Sequence, residues 1–265
     1  MEFNKLRPHA IIVILFALIS FSYFTPLLEG KRIDGHDVKT WIGMSKEISD
    51  HREKTGEEAL WTNSIFSGMP AYQISVKYSN LIKYIDKAIS FGFPRPANLL
   101  FLYLLGFYLL LVSLNIDYRI AALGAFAYAF SSYFFIIIQA GHMTKAHAIA
   151  YLPMVVAAVL YTYRGKMFLG GALTSLAVAL QIFTNHYQIT YYLILILLFV
   201  GFTQFYKDFK AKTLPSFFKK TGVLFLAAFL AAGTSYTRLK TTIDYGKETT
   251  RGKSELTNNI DNKTK

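Results

Sequence analysis

The 265-residue sequence is 53% hydrophobic and only 17% charged, a balance that excludes an ordinary soluble domain and predicts a membrane protein. Its net charge of +12 is not the mark of a nucleic-acid binder, because Lys207, Lys210, Lys212, Lys219 and Lys220 share one linker between apolar runs, where basic residues report membrane topology. With no cysteine, disulfides and thiol nucleophiles are excluded.

The first apolar run, residues 10–28, follows a short basic leader with Lys5 and Arg7. It ends in Tyr23-Phe24-Thr25-Pro26 without a small-residue cleavage site, which predicts an uncleaved signal anchor with the N-terminus in the cytoplasm. Further runs at 97–115, 120–140, 147–163, 167–184, 189–205 and 221–236 have the length of bilayer-spanning helices, making about seven spans in all. Pro153 is expected to kink the fourth. Threaded from inside, Arg119, then Arg164 and Lys166, then the five lysines of the 207–220 linker all fall in cytoplasmic turns, whereas the short outer turns carry only Lys145. The expected fold is therefore all-α, a polytopic integral membrane protein.

Residues 29–96 form the first extracytoplasmic loop in this threading. Val38, Trp41, Ile42, Ser45 and Ile48 recur at helical spacing, and Asp34 or Asp37 stands where a carboxylate favours a helix N-terminus. A second amphipathic stretch sets Leu81, Ile82, Ile85, Ala88 and Ile89 against Lys83, Asp86 and Lys87, which predicts an interfacial helix before the second span.

The threading places three polar groups on the same side: His36 and Asp37, then His142, Lys145 and His147, then Asn185 and His186. Ionisable residues at a membrane edge are costly unless they line a cavity, and they mark function. A carboxylate that accepts a proton from a hydroxyl, beside a lysine and histidines that hold a departing phosphate, is the pairing that glycosyl transfer from a lipid phosphate requires. Trp61, with Asn63 beside it, and Tyr72 and Tyr78 offer flat surfaces for sugar rings. Each residue also has a purely structural reading. Asp37 fits a helix cap, His142 and His147 fit partners for free helix ends, Lys145 fits a snorkelling base, and Trp41 and Trp61 fit interfacial anchors. No cofactor is called for. A divalent metal is not indicated either, since no HExxH occurs and His142 and His147 miss the four-residue spacing of a helical zinc pair.

The elements GHDVKTWIGMSKEI (35–48), WTNSIFSGMPAYQI (61–74), AGHMTKAHAIAYLP (140–153), TNHYQITYY (184–192) and YGKETTRGKSELT (245–257), in that order after an anchor, resemble the N-terminal part of the YfhO-type bacterial membrane proteins, grouped with the GT-C membrane glycosyltransferases. The resemblance implies a GT-C-like module over residues 1–236, and an extracytoplasmic polar tail at 237–265 that begins a missing C-terminal part. It implies a polyprenyl-phosphate sugar as donor, inversion at the sugar, and a glycan, lipid or protein of the cell envelope as acceptor, at the outer face of the bacterial plasma membrane. By position Asp37 matches the family's catalytic Asp, with Asp34 as the alternate, and His142, Lys145 and His147 match its second outer motif. Two rival expectations stand beside it: a transporter or flippase of an anionic envelope lipid, and an inactive fragment.

Overall fold

The computed structural model describes residues 3–33, 35–249 and 252. In chain order the elements are α1 (Phe3–Tyr23), α2 (His36–Thr55), the short strands β1 (Trp61–Thr62) and β2 (Met69–Pro70), α3 (Ile82–Ile89), α4 (Ala97–Ser113), α5 (Tyr118–Ala129), α6 (Ser132–Gln139), α7 (Met143–Tyr163), α8 (Met167–Phe183), α9 (Tyr187–Lys210), α10 (Leu214–Gly233) and α11 (Tyr236–Lys247). They divide into two compact units, one of Met1–Thr40 with Asn80–Thr234, the other of Trp41–Ser79 with Ser235–Lys265.

The first unit is the helical bundle. Helices α1, α7, α9 and α10 are each long and apolar enough to cross a membrane, and α5 with α6, bent by 45°, makes a fifth span if counted as one. Helices α4 and α8 are apolar but 17 residues each. The architecture is that of a helical, multi-pass membrane protein.

Every apolar run of the sequence forms helix, with two adjustments. The run at 120–140 breaks at Ser131, whose φ of −59° and ψ of 132° leave the helical region; serine readily takes this extended conformation ahead of a new helix. The first helix stops at Tyr23, because Thr25-Pro26-Leu27 forms a separate tight turn. Helix α7 runs unbroken through the buried Pro153, as spanning helices do when neighbours pack around the lost hydrogen bond.

Helix α7 is the axis of the bundle. Of its spanning segment 72% is buried, against 11% for α9 and 17% for α1 and α10, so α7 is the interior helix and the others present apolar faces outward. Those faces carry Phe199, Phe202, Phe225 and Phe229, all exposed, as suits contact with lipid. Small residues let the backbones close in: a Cβ at Gly170 of α8 would stand 2.4 Å from Thr162 Oγ1, and one at Gly106 of α4 would stand 2.8 Å from the Ala150 carbonyl oxygen. The Tyr103 hydroxyl donates to the Ala146 carbonyl at 2.9 Å, and its ring stacks on Phe134 with centroids 4.4 Å apart.

The second unit is held by polar clamps around a small buried set, Ser45, Ile48, Thr62 and Ala71. Strand β1 pairs antiparallel with β2, Trp61 opposite Pro70 and Thr62 opposite Met69. Glu47 accepts from the Thr62 hydroxyl and, at 2.9 Å, from the Asn63 amide; these bonds hold its carboxyl below the usual range, with the Thr62 bond the larger cause and burial opposing. Arg52 forks onto Glu58 at 2.5 and 2.7 Å and donates to the Ser75 carbonyl at 2.7 Å. Helix α11 belongs to this unit: Gln73 donates to Thr242 Oγ1 at 3.2 Å, and the Arg238 guanidinium lies 5.0 Å from the centre of the Tyr78 ring. The sequence reading leaves 237 onward as a polar tail; residues 237–247 instead continue as helix.

Candidate functional site

The site is built where the start of α2 meets the turn between α6 and α7. Gly35 ends the connection from α1, and its carbonyl accepts from the Val38 and Lys39 amides at 3.1 and 3.2 Å, which opens α2. A Cβ on Gly35 would lie 3.0 Å from the Gln139 carbonyl oxygen and 3.1 Å from Gly141 Cα. Gly141 is at φ +92°, a left-handed conformation natural to glycine, and a Cβ there would lie 3.2 Å from the Val38 amide nitrogen and 3.3 Å from Asp37 Cβ. Two glycines thus bring the backbones of the GHD and GHM elements into contact.

That contact sets Asp37 against His142. Asp37 Oδ2 lies 3.0 Å from His142 Nδ1, while its other oxygen lies 3.7 Å from His36 Nδ1. The Asp37 and His142 side chains are 47% and 49% exposed and that of His36 is 91% exposed, so the pair is reachable from solvent and contributes only about 0–1 kcal/mol to stability. A carboxylate left this open is available to a ligand. His142 directly precedes α7, and its carbonyl accepts from the Ala146 amide at 3.0 Å. One turn on, the Lys145 ammonium lies 5.3 Å from the centre of the Tyr133 ring.

The turn between α8 and α9 contributes the third group. Asn185 holds φ +61°, a conformation asparagine tolerates, and His186 directly precedes α9. Burial lowers the His186 imidazole from its ordinary range, and the positive charges of Lys145 and His142 lower it further against an opposing backbone contact. The charges of Lys145 and His142 thus act on the turn that holds His186. Buried Asn185 Oδ1, His186 Nδ1, Tyr187 hydroxyl and Gln181 Nε2 have no hydrogen-bond partner among the described residues, an uncommon state for buried polar atoms.

His147 is placed differently from the other predicted residues. Its side chain is 4% exposed, and Nε2 lies 2.7 Å from Asp86 Oδ1 on α3. The Tyr151 hydroxyl donates to the same oxygen at 2.5 Å. Burial raises the Asp86 carboxyl, but the His147 bond and charge, the Tyr151 bond and the charge of Arg95 outweigh it, and the net displacement is downward. His147 thus fastens α3 to the bundle and is turned away from open solvent.

Trp61 and Asn63 lie in the second unit and engage each other: Trp61 Nε1 donates to Asn63 Oδ1 at 3.3 Å. Asp34 lies outside the described residues. Among those described, no three histidine, aspartate or glutamate side chains converge as metal ligands. Sequence reasoning missed Asp86, Tyr151, Gln181 and Tyr187. For Asp86 the one available signal was an acid on the polar face of an amphipathic stretch, and for Tyr151 and Tyr187 their place inside the elements 140–153 and 184–192; for Gln181 there was none.

A second feature of the bundle is an apolar cavity of about 510 Å³. Leu105 and Leu109 of α4, Met154 of α7 and Leu173 and Leu180 of α8 wall it, with Ala88 and Ile89 of α3 at one end.

In comparisons with known proteins, no family model, no curated protein and no solved structure matches the chain.

Proposed function

We propose that the chain is the GT-C-type module of a bacterial membrane glycosyltransferase, which moves a sugar from a polyprenyl-phosphate donor to a cell-envelope acceptor at the outer face of the plasma membrane. In this reading α1, α4, the bent pair α5 and α6, α7, α8, α9 and α10 are seven spans, the N-terminus is cytoplasmic, and α2 and α3 belong to the first outer loop. The observation that carries it is the half-exposed Asp37 carboxylate 3.0 Å from His142, with Lys145 one turn further along α7. A base stands beside a histidine and a lysine at the edge of an apolar bundle.

The roles follow from the chemistry. An acceptor hydroxyl attacks the anomeric carbon as its proton passes to Asp37, and the bond from that carbon to the phosphate oxygen breaks with inversion. Lys145, His142 and His186 oppose the charge that gathers on the departing polyprenyl phosphate, and Asn185 adds a polar contact. His36 is assigned to substrate contact only by its motif. The 510 Å³ cavity among α3, α4, α7 and α8 is apolar space of the kind a polyprenyl chain requires. Protein in lipid nanodiscs given radiolabelled polyprenyl-phosphate sugars should yield a transferred product. A protein that leaves every donor unaltered overturns the proposal.

One observation favours a second reading. The 45° break between α5 and α6 resembles the discontinuous helices with which transporters hold a substrate, and the same polar groups would then bind an anionic lipid without bond chemistry. Relocation of an unchanged labelled lipid across proteoliposomes distinguishes this from transfer.

A further inference from the structure

We propose that a groove of the second unit binds a neutral saccharide, the acceptor strand if the chain is a glycosyltransferase. The groove has a volume of about 490 Å³ and runs between α2 and the segment 75–77. Trp41 and Arg52, on the same face of α2, line it together with Ser49 and Glu53, and Lys77 lines it from the facing segment.

The walls are already ordered. Trp41 Nε1 donates to the Ile74 carbonyl at 3.2 Å, which fixes the indole plane while leaving the residue 47% exposed. Arg52 is held on three sides, by both oxygens of Glu58 and by the Ser75 carbonyl, and the Glu58 carboxylate also accepts from the Lys77 amide at 3.2 Å. A ligand entering this groove orders little that is not ordered already, which favours affinity.

The chemistry of the lining selects the occupant. A fixed aromatic face suits the apolar C–H face of a sugar ring, and the Ser49 hydroxyl, Glu53 carboxylate and Lys77 ammonium suit the hydroxyls of its rim. Charge balance selects against an ion. Arg52 is matched by Glu58, and the remaining lining charges, Glu53 and Lys77, are of opposite sign, so a polyanion gains from one cation only to meet a carboxylate in the same groove.

The chain has two tryptophans, so Trp61→Phe leaves Trp41 as the single indole reporter. In nanodiscs this variant is titrated with maltotetraose, chitotetraose and polyglycerol phosphate, with emission recorded. The expected result is a saturable change with a neutral oligosaccharide, weakened at least tenfold by Glu53→Gln or Lys77→Ala. Circular dichroism checks that both variants keep their helix. No saturable change with either neutral sugar, or tighter binding of polyglycerol phosphate, overturns the proposal. So does quenching of Trp41 by brominated lipid, which would make it a bilayer anchor. Asp37→Asn separates this site from the catalytic reading: saccharide binding that persists when transfer is lost supports both, and transfer that persists without saccharide binding by the unsubstituted groove rejects the groove alone.

Discussion

Asp86 and His147, 61 positions apart, meet with 2.7 Å between Oδ1 and Nε2, and the Tyr151 hydroxyl closes on the same oxygen at 2.5 Å. One carboxylate therefore satisfies two buried side chains of α7 and ties the amphipathic α3 to the bundle. Asp86→Ala strands both partners, and each buried polar group left without a partner costs about 1–3 kcal/mol. The variant should unfold at a clearly lower temperature in detergent. An unchanged midpoint would show that α3 is held by its apolar face alone.

The same carboxylate carries a pH dependence. Because Asp86 is lowered in the folded protein, the unfolded chain takes up its proton first on acidification. Its stabilisation is complete above the unfolded carboxylate value of about 3.9 and disappears as pH falls through the lower folded value. Asp86→Asn should be less stable than the parent at pH 6, and the gap should begin to narrow only below about pH 4, closing as pH passes the lower folded value. Thermal melts across that range test this, and a constant gap at every pH is the contrary result.

His186 shifts stability in the same sense but at higher pH. Its imidazole is lowered, so between the folded value and about 6.5 the unfolded chain binds a proton that the folded chain refuses, and acidification destabilises. An anion seated beside His142, Lys145 and His186 offsets the burial penalty and draws that value upward. Titration of the His186 ring by nuclear magnetic resonance should give a midpoint below 6.5 in the free protein, rising when undecaprenyl phosphate is added. A midpoint that ignores the lipid phosphate argues against an anion site in this turn.

Local order was largely legible in the sequence. Apolar run lengths located the bundle helices, the spacing of Val38, Trp41, Ser45 and Ile48 marked α2, and Asp37 stands in its first turn as expected. The break at Ser131 was hidden, because a serine pair inside an apolar run is tolerated by an unbroken spanning helix as readily as it starts a new one. Helix α11 was missed because its apolar residues, Tyr236, Leu239 and Ile243, are few among polar and charged ones and stand at or just past the end of the last apolar run; it is held to the second unit by Gln73 and Tyr78. Partnerships across the fold left least trace. The common placement of Asp37 and His142 followed from counting spans, but nothing local could pair Asp86 with His147 rather than leave that histidine open with His142.

The proposed chemistry makes separate demands on the base and the cations. Asp37→Asn keeps the shape of the side chain and removes its basicity, so transfer should fall by about 10²–10⁴-fold, the usual contribution of a general base. Lys145→Ala removes charge stabilisation of the leaving phosphate and should cost about 10²–10³-fold. Both should insert and melt like the parent, since Asp37 is half exposed and Lys145 is not buried. Lys145 should matter less for a donor with a better leaving group, whereas Asp37 should matter equally for both. Equal losses with the two donors would remove the assignment of Lys145 to the phosphate.

Gly35 tests whether the geometry itself matters. An alanine there places its methyl 3.0 Å from the Gln139 carbonyl oxygen and 3.1 Å from Gly141 Cα, both backbone atoms that cannot swing aside as a flexible side chain would. The start of α2 must then retreat from the α6–α7 turn, carrying Asp37 away from His142. Neither residue's chemistry is altered and the methyl demands a shift of only a few tenths of an ångström, yet a displacement of about 1 Å at a catalytic group can cost about 10²-fold in rate, so even this smaller shift lowers it measurably. Gly35→Ala should therefore lose transfer rate while retaining its helices and most of its thermal stability, and Gly141→Ala, strained as well by its φ of +92°, should lose both. Because the first α2 turn forms with any residue at position 35, full activity in Gly35→Ala would mean that Asp37 does its work without His142 at its side.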